Sequence, residues 1–338
     1  MTLATGQLVL ASDYNQIAYG SDDGVQDLSG ANLGLIWSTG YGRYGYGQSM
    51  SIIPAVQVGD VITATQWNNL DTALTAIRRH QSGPGTYGSP GSVAAGQNIT
   101  PRTYHPASIT TAYANVGTCY GNADPAAHPS TYLLPWGHTT RALKVTQTLI
   151  FDSSDQARYY FNAGGKLKIS FAHSGGPNAR DYFWNKLCSD AGTIQIGYRN
   201  TTKIAGDGDT SKYSILNSDN GGFWNNSSSP LQHFLQYSPS GYSYGDYVGG
   251  LYSPPPGDDT LDYLKVEVSV TGSAGSNGGL GATVNVITTL MNGYVASPTL
   301  EDQIDGTTVI SMVVSNADYP DINNSWGTPA FSQVFETV

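Results

Sequence analysis

From residue 142 onward the chain is a train of strand-like runs, and this limits the fold more than any other feature. The runs are Ala142–Phe151, Ala157–Phe161, Lys166–Ala172, Thr193–Arg199, Tyr263–Thr271, Ala282–Met291, Thr307–Ser315 and Ala330–Val338. In the third, Leu167, Ile169 and Phe171 alternate with Lys166, Lys168 and Ser170, the period of two that gives a strand one buried face. Turn clusters such as Ser174-Gly175-Gly176-Pro177 and Gly206-Asp207-Gly208-Asp209 punctuate the series. No helical period shows through it. The expected class is therefore mainly β: an antiparallel β-sandwich or jelly-roll-like C-terminal domain, carrying a small α/β N-terminal module. Arg158–Phe171 reads as strand, turn, strand, with Asn162-Ala163-Gly164-Gly165 supplying the tight turn.

The N-terminal module, residues 1–82, contains an internal repeat. Residues 6–17 align with 59–70: Gly, Ala and Asn coincide, Ser12 meets Thr65, Tyr14 meets Trp67 and Ile17 meets Leu70. Each copy reads as a short apolar strand, a hydroxyl cap and a helix whose aromatic faces inward. In the second copy Trp67, Leu70, Leu74 and Ile77 recur at helical spacing until Gly83-Pro84 ends the pattern. Between the copies Tyr41, Tyr44 and Tyr46 alternate with glycines. This segment suits either a contact surface for a neighbouring subunit or a loop packed on its own domain. Residues 83–101, rich in Gly and Pro, read as a linker, which leaves 102–338 as the β domain.

A net charge of −10 and the absence of any basic run exclude a phosphate-binding footprint, so no nucleic-acid partner is expected. No apolar stretch approaches the length of a membrane span, and the first residues lack the pattern of a secretory signal. Cys119 and Cys188 read as free thiols of a reducing compartment. Only 12% of residues are charged, while Tyr and Gly are plentiful, a surface-like composition that fits a particle released by lysis.

No catalytic motif stands out, and the six histidines are scattered without metal-ligand spacing. No catalytic residues, metal ligands or cofactor are assigned. Asp207, Asp209, Asn217 and Asp219 place oxygens close together, but turn formation explains them better than calcium. Trp224, Tyr242, Tyr244 and Tyr247 sit in polar, aromatic insertions that suit a partner protein or a sugar ring.

The run Tyr160-Phe161-Asn162-Ala163-Gly164-Gly165-Lys166-Leu167-Lys168-Ile169-Ser170 also carries a resemblance. It is followed by Trp184-Asn185-Lys186-Leu187 and Ala191-Gly192-Thr193-Ile194, and preceded by Ile62-Thr63-Ala64-Thr65-Gln66-Trp67-Asn68-Asn69-Leu70. This set resembles virion structural proteins of tailed bacteriophages, mostly of tail or tail-fibre type. The resemblance implies a non-enzymatic tail-associated role, fibre-like, collar or baseplate accessory, with a head fibre, a capsid decoration protein or a glycan-binding adhesin as alternatives. It implies a virion location, self-association with a trimer favoured, contacts to other virion proteins, and a host surface glycan as a further partner. Tyr14, Tyr41, Tyr44, Tyr46 and Trp67 are then the candidate attachment residues. Trp224, Tyr242, Tyr244 and Tyr247 are the candidate glycan or partner contacts.

Overall fold

A computed structural model describes residues 9–85, 92–97, 105–124, 127–132, 142–176, 179–211, 213–215, 230–237, 263–291, 304–318 and 320–337. The fold is mainly β, with two antiparallel sheets. One sheet runs β1 (Asn122–Ala123) and β2 (His128–Tyr132) on one side of β11 (Thr307–Ala317), then β4 (Lys166–Ser174), β5 (Thr193–Ile196) and β6 (Thr201–Ala205) on the other. The second runs β12 (Ala330–Thr337), β3 (Ala142–Ile150), β10 (Thr283–Met291), β9 (Tyr263–Thr271), β8 (Leu231–Tyr237) and β7 (Tyr213–Ile215). Alternation builds the interior: Leu167, Ile169 and Phe171 on β4 are buried, as are Leu264, Val266 and Val268 on β9 and Val284, Val286 and Leu290 on β10. Phe171 stacks on Phe234 of β8 at 6.5 Å between ring centres, joining one sheet to the other.

The expected hairpin at 158–171 is half wrong. Its second strand is β4, but its first is a helix, α5 (Ser154–Asn162). Ser153 caps that helix, its Oγ accepting from the Gln156 amide at 3.2 Å, and Asp155 sits in the first turn. Ala157, Tyr160 and Phe161 then fall on one buried face at spacings of three and four. An unbroken aromatic run fits either period, and the cap decides it. Two further helices interrupt the β region, α4 (His105–Ala114) and α6 (Ala179–Ala191), the latter laid on β4 and burying Trp184, Leu187 and Cys188.

The N-terminal part holds α1 (Ala11–Tyr19), α2 (Leu33–Trp37) and α3 (Ala64–Ser82). The expected strands of the repeat shrink, among the described residues, to a single antiparallel bridge, Leu10 to Val61. The hydroxyl cap lies two residues earlier than expected. Thr63, not Thr65, caps α3, its Oγ1 accepting from the Gln66 amide at 3.2 Å. The repeat survives at the next level. In each copy the third helical residue turns back to the cap: Asp13 accepts from the Leu10 amide, and Gln66 from the Thr63 amide, both at 2.9 Å.

Packing does not divide the chain where composition does. One continuous core runs from Val9 to Trp326, and α4 packs on α2 and α3. Within the expected linker, Val93 is hydrogen-bonded through both backbone groups to Asn68 of α3.

Candidate attachment surface on the duplicated unit

The repeat builds its own interior first. Tyr14 and Trp67, at matching positions, are 0% and 3% exposed, and Ile17 and Leu70, the next matched pair, are buried too. One residue beyond each aromatic stands an asparagine that grips a distant backbone. The Asn15 Nδ2 donates to the Val56 carbonyl at 2.7 Å while its Oδ1 accepts from the Val56 amide at 3.0 Å. Asn68 does the same to Val93, at 3.0 and 2.9 Å. The shared Asn of the sequence repeat thus performs one structural task twice.

Where the two copies meet, an apolar cleft of about 250 Å³ opens around the Leu10–Val61 bridge, lined by residues 9–12 and 58–61. Its rim is unusually apolar for a surface: Leu10 is 52% exposed, Val58 70% and Val61 77%. Among the described residues Asp60 is the only charged one in the lining. Sequence reasoning missed these three aliphatic side chains, because short apolar runs before a helix read as buried strand. A partner that covers them would remove a contiguous apolar patch from water.

The expected attachment tyrosines are placed differently. Tyr44 and Tyr46 are built into the molecule's own interior, as are Tyr14 and Trp67, and Tyr41 alone of the five is exposed, at 49%. The Gly-Tyr segment packs on its own chain, the second of its two readings. Tyr44 stacks on Tyr113 of α4 at 4.0 Å, and burial pushes its hydroxyl up to about 12. The Tyr46 hydroxyl accepts from Gln81 at 2.9 Å and burial raises its pKa. Gly45, at φ 106°, lies so close to Thr39 that a Cβ would meet its carbonyl oxygen at 2.2 Å.

A buried arginine organises this loop. Arg158 of α5 is fully buried and donates to the carbonyls of Thr39 and Tyr44 at 2.5 Å and of Gly42 at 3.3 Å. Asp155 neutralises it at 3.0 Å, and its guanidinium lies 4.7 Å from the Tyr159 ring centre. Asn162 adds a bond to the Gly45 carbonyl at 3.0 Å. These contacts fasten the N-terminal loop to the β region.

One constellation has the composition of a nucleophilic relay. The Thr308 Oγ1 lies 2.9 Å from His173 Nδ1, and His173 Nε2 lies 3.1 Å from Asp181 Oδ1. All three residues are 2% exposed, so no substrate reaches the hydroxyl. Burial also lowers the His173 pKa in spite of Asp181. Asp181 Oδ1 accepts from the amides of Asp305 and Gly306 at 2.9 Å, so the group ties α6 to the approach to β11. Among the described residues no cluster of three or more His, Cys, Asp or Glu could hold a metal. Asp207 and Asp209 accept from backbone amides two residues on, the geometry of turns.

Trp224, Tyr242, Tyr244 and Tyr247 lie outside the described residues. No helix among the described residues is long and apolar enough to cross a membrane. No family model matches the chain, and no curated protein matches it.

Proposed function

We propose that this protein is a non-enzymatic structural component of a tailed phage particle, attached through the apolar cleft of its duplicated N-terminal unit. The tail is the favoured place, as a fibre-like, collar or baseplate accessory protein that also contacts other virion proteins. The observation that carries the reading is the cleft, with Leu10, Val58 and Val61 exposed on a rigidly braced frame. Exposed aliphatic residues grouped around a concave surface are what a protein-binding site needs and what an isolated soluble surface avoids. The resemblance carried by the segments at 62–70 and 160–170 supplies the particle.

The test is incorporation. Val58→Asp with Val61→Asp, made in the full chain, places charge on side chains that the fold leaves in water. The doubly substituted protein should fold with an unchanged Tm, yet be lost from purified particles. Normal incorporation of this variant, or location of the wild-type chain in a particle map with the cleft facing solvent, would overturn the attachment site. Absence of the wild-type chain from purified particles would overturn the structural role itself.

A further inference from the structure

The described sheet edges are protected unequally. β7 has three residues, β6 is irregular where it leaves β5, and β2 carries Pro129, which has no amide to donate. β12 has none of these defences. It is eight residues long, pairs with β3 in unbroken register, contains no Pro, Gly or Lys, and is exposed or half-exposed at every position. Among the described residues no strand pairs with its outer edge.

We propose that this edge pairs with the same strand of a second copy of the chain, antiparallel and centred on Gln333. Directly opposed residues in a ladder share a face, so only registers that pair odd positions with odd ones keep both sheets in phase. Two such registers overlap over seven residues, one centred on Gln333 and one on Val334. The first sets Phe331 opposite Phe335 of the other copy, twice, on the inner face. There Phe331 already stacks on His128 at 4.1 Å and Phe335 lies against Tyr132 at 6.1 Å. The second register sets each Phe335 against Gln333 and each Phe331 against Thr337. Opposed aromatic pairs stabilise a ladder more than these mixed pairs do.

Charge agrees with the Gln333 register. Glu336, the sole charged residue of β12, is held by Lys144 at 2.8 Å and would face Ala330 of the second copy, so no like charges meet. On the outer face Ser332 opposes Val334. The outcome is a twelve-stranded sheet shared by two chains about a twofold axis, in place of the threefold arrangement that a fibre would favour. This inference stands independently of where on a particle the protein sits.

The experiment uses the full chain in solution. Sedimentation at micromolar concentration should give twice the 35.8 kDa chain mass. Gln333→Cys places two thiols opposite each other on the axis and should form an intermolecular disulfide on mild oxidation. Val334→Cys, whose thiol would oppose Ser332, should not. Ser332→Lys combined with Val334→Lys sets like charges opposite each other across the axis on solvent-facing positions. That variant should be monomeric with an unchanged far-UV spectrum. A wild-type monomer, a trimer, or crosslinking at 334 in place of 333 would each overturn the proposal.

Discussion

Asn68 holds Val93 by both of its backbone polar groups, the amide at 2.9 Å and the carbonyl at 3.0 Å, across 25 residues of sequence. The side chain does what a neighbouring strand would do, for one residue only. Asn15 repeats the device on Val56, and Gln48 repeats it on Asn323, with Nε2 donating to the carbonyl at 2.8 Å and Oε1 accepting from the amide at 2.9 Å. Asn15 and Asn68 thereby fix loops against α1 and α3, and Gln48 fixes one loop against another.

Removing one of these amides leaves a donor and an acceptor unpaired. Asn15→Ala strips the buried Val56 of both partners and should destabilise the fold by about 2–3 kcal/mol. Asn15→Asp keeps the acceptor and loses the donor, and should destabilise at least as much because it adds a buried charge. Chemical denaturation at neutral pH reads both. Equal stability of the alanine variant and the wild type would show that water replaces the side chain.

Arg158→Lys tests the clamp on the Gly-Tyr loop. An ammonium cannot reach three carbonyls and Asp155 in the plane that the guanidinium serves. We expect a loss of about 1–3 kcal/mol, the cost of buried carbonyls left without a donor, together with faster amide exchange over residues 39–47. An unchanged exchange pattern would place the loop's order elsewhere.

Acid should weaken the fold through two buried histidines. His80 donates Nε2–H to the Ala163 carbonyl at 2.8 Å, and His233 lies 2.8 Å from the Thr201 hydroxyl. Burial lowers each pKa from 6.5 to about 4. Between those values the unfolded chain binds protons that the folded chain refuses, so stability is complete above pH 6.5 and falls as the pH drops towards 4. Each histidine contributes up to about 3 kcal/mol of this loss. His233→Gln should flatten the pH profile of Tm over that window, and an unaltered slope would remove His233 from the account.

The two thiols should stay separate. Cys188 is buried, and burial pushes its thiol up to about 12; Cys119 is partly buried, and its pKa is also raised by burial. Alkylation without reductant should label Cys188 only after denaturation, and intact mass should then show two adducts. Fewer would indicate a disulfide.

Legibility in the sequence followed local period. β9 was readable because Leu264, Val266, Val268 and Val270 alternate with Lys265, Glu267 and Ser269, β10 because it is a run rich in β-branched residues, and α3 because Trp67, Leu70, Leu74 and Ile77 repeat at helical spacing. β8 was not, since a register shift between Gln232 and Phe234 buries His233 and Phe234 in succession and breaks the alternation. α5 was hidden in an aromatic run that fits two periods. The tie on Val93, inside the expected linker, was hidden for another reason. Gly and Pro report only local backbone preference, whereas Asn68, seen in sequence only as the polar face of a helix, fixes Val93 from a distance. The cleft was invisible because exposure is a property of neighbours, and nothing local marks Val58 as uncovered.

The single core has a mechanical consequence. A pull on residues 9–12 is passed by Asn15 to Val56, by Arg158 from the Gly-Tyr loop into α5, and by Gln48 to Asn323, before β12 feels it. These links load in parallel, each made of two or more hydrogen bonds that must break together. The N-terminal unit is therefore tied to distant parts of the chain at more than one place, by Arg158 and by Gln48, so that releasing either tie alone leaves the other holding.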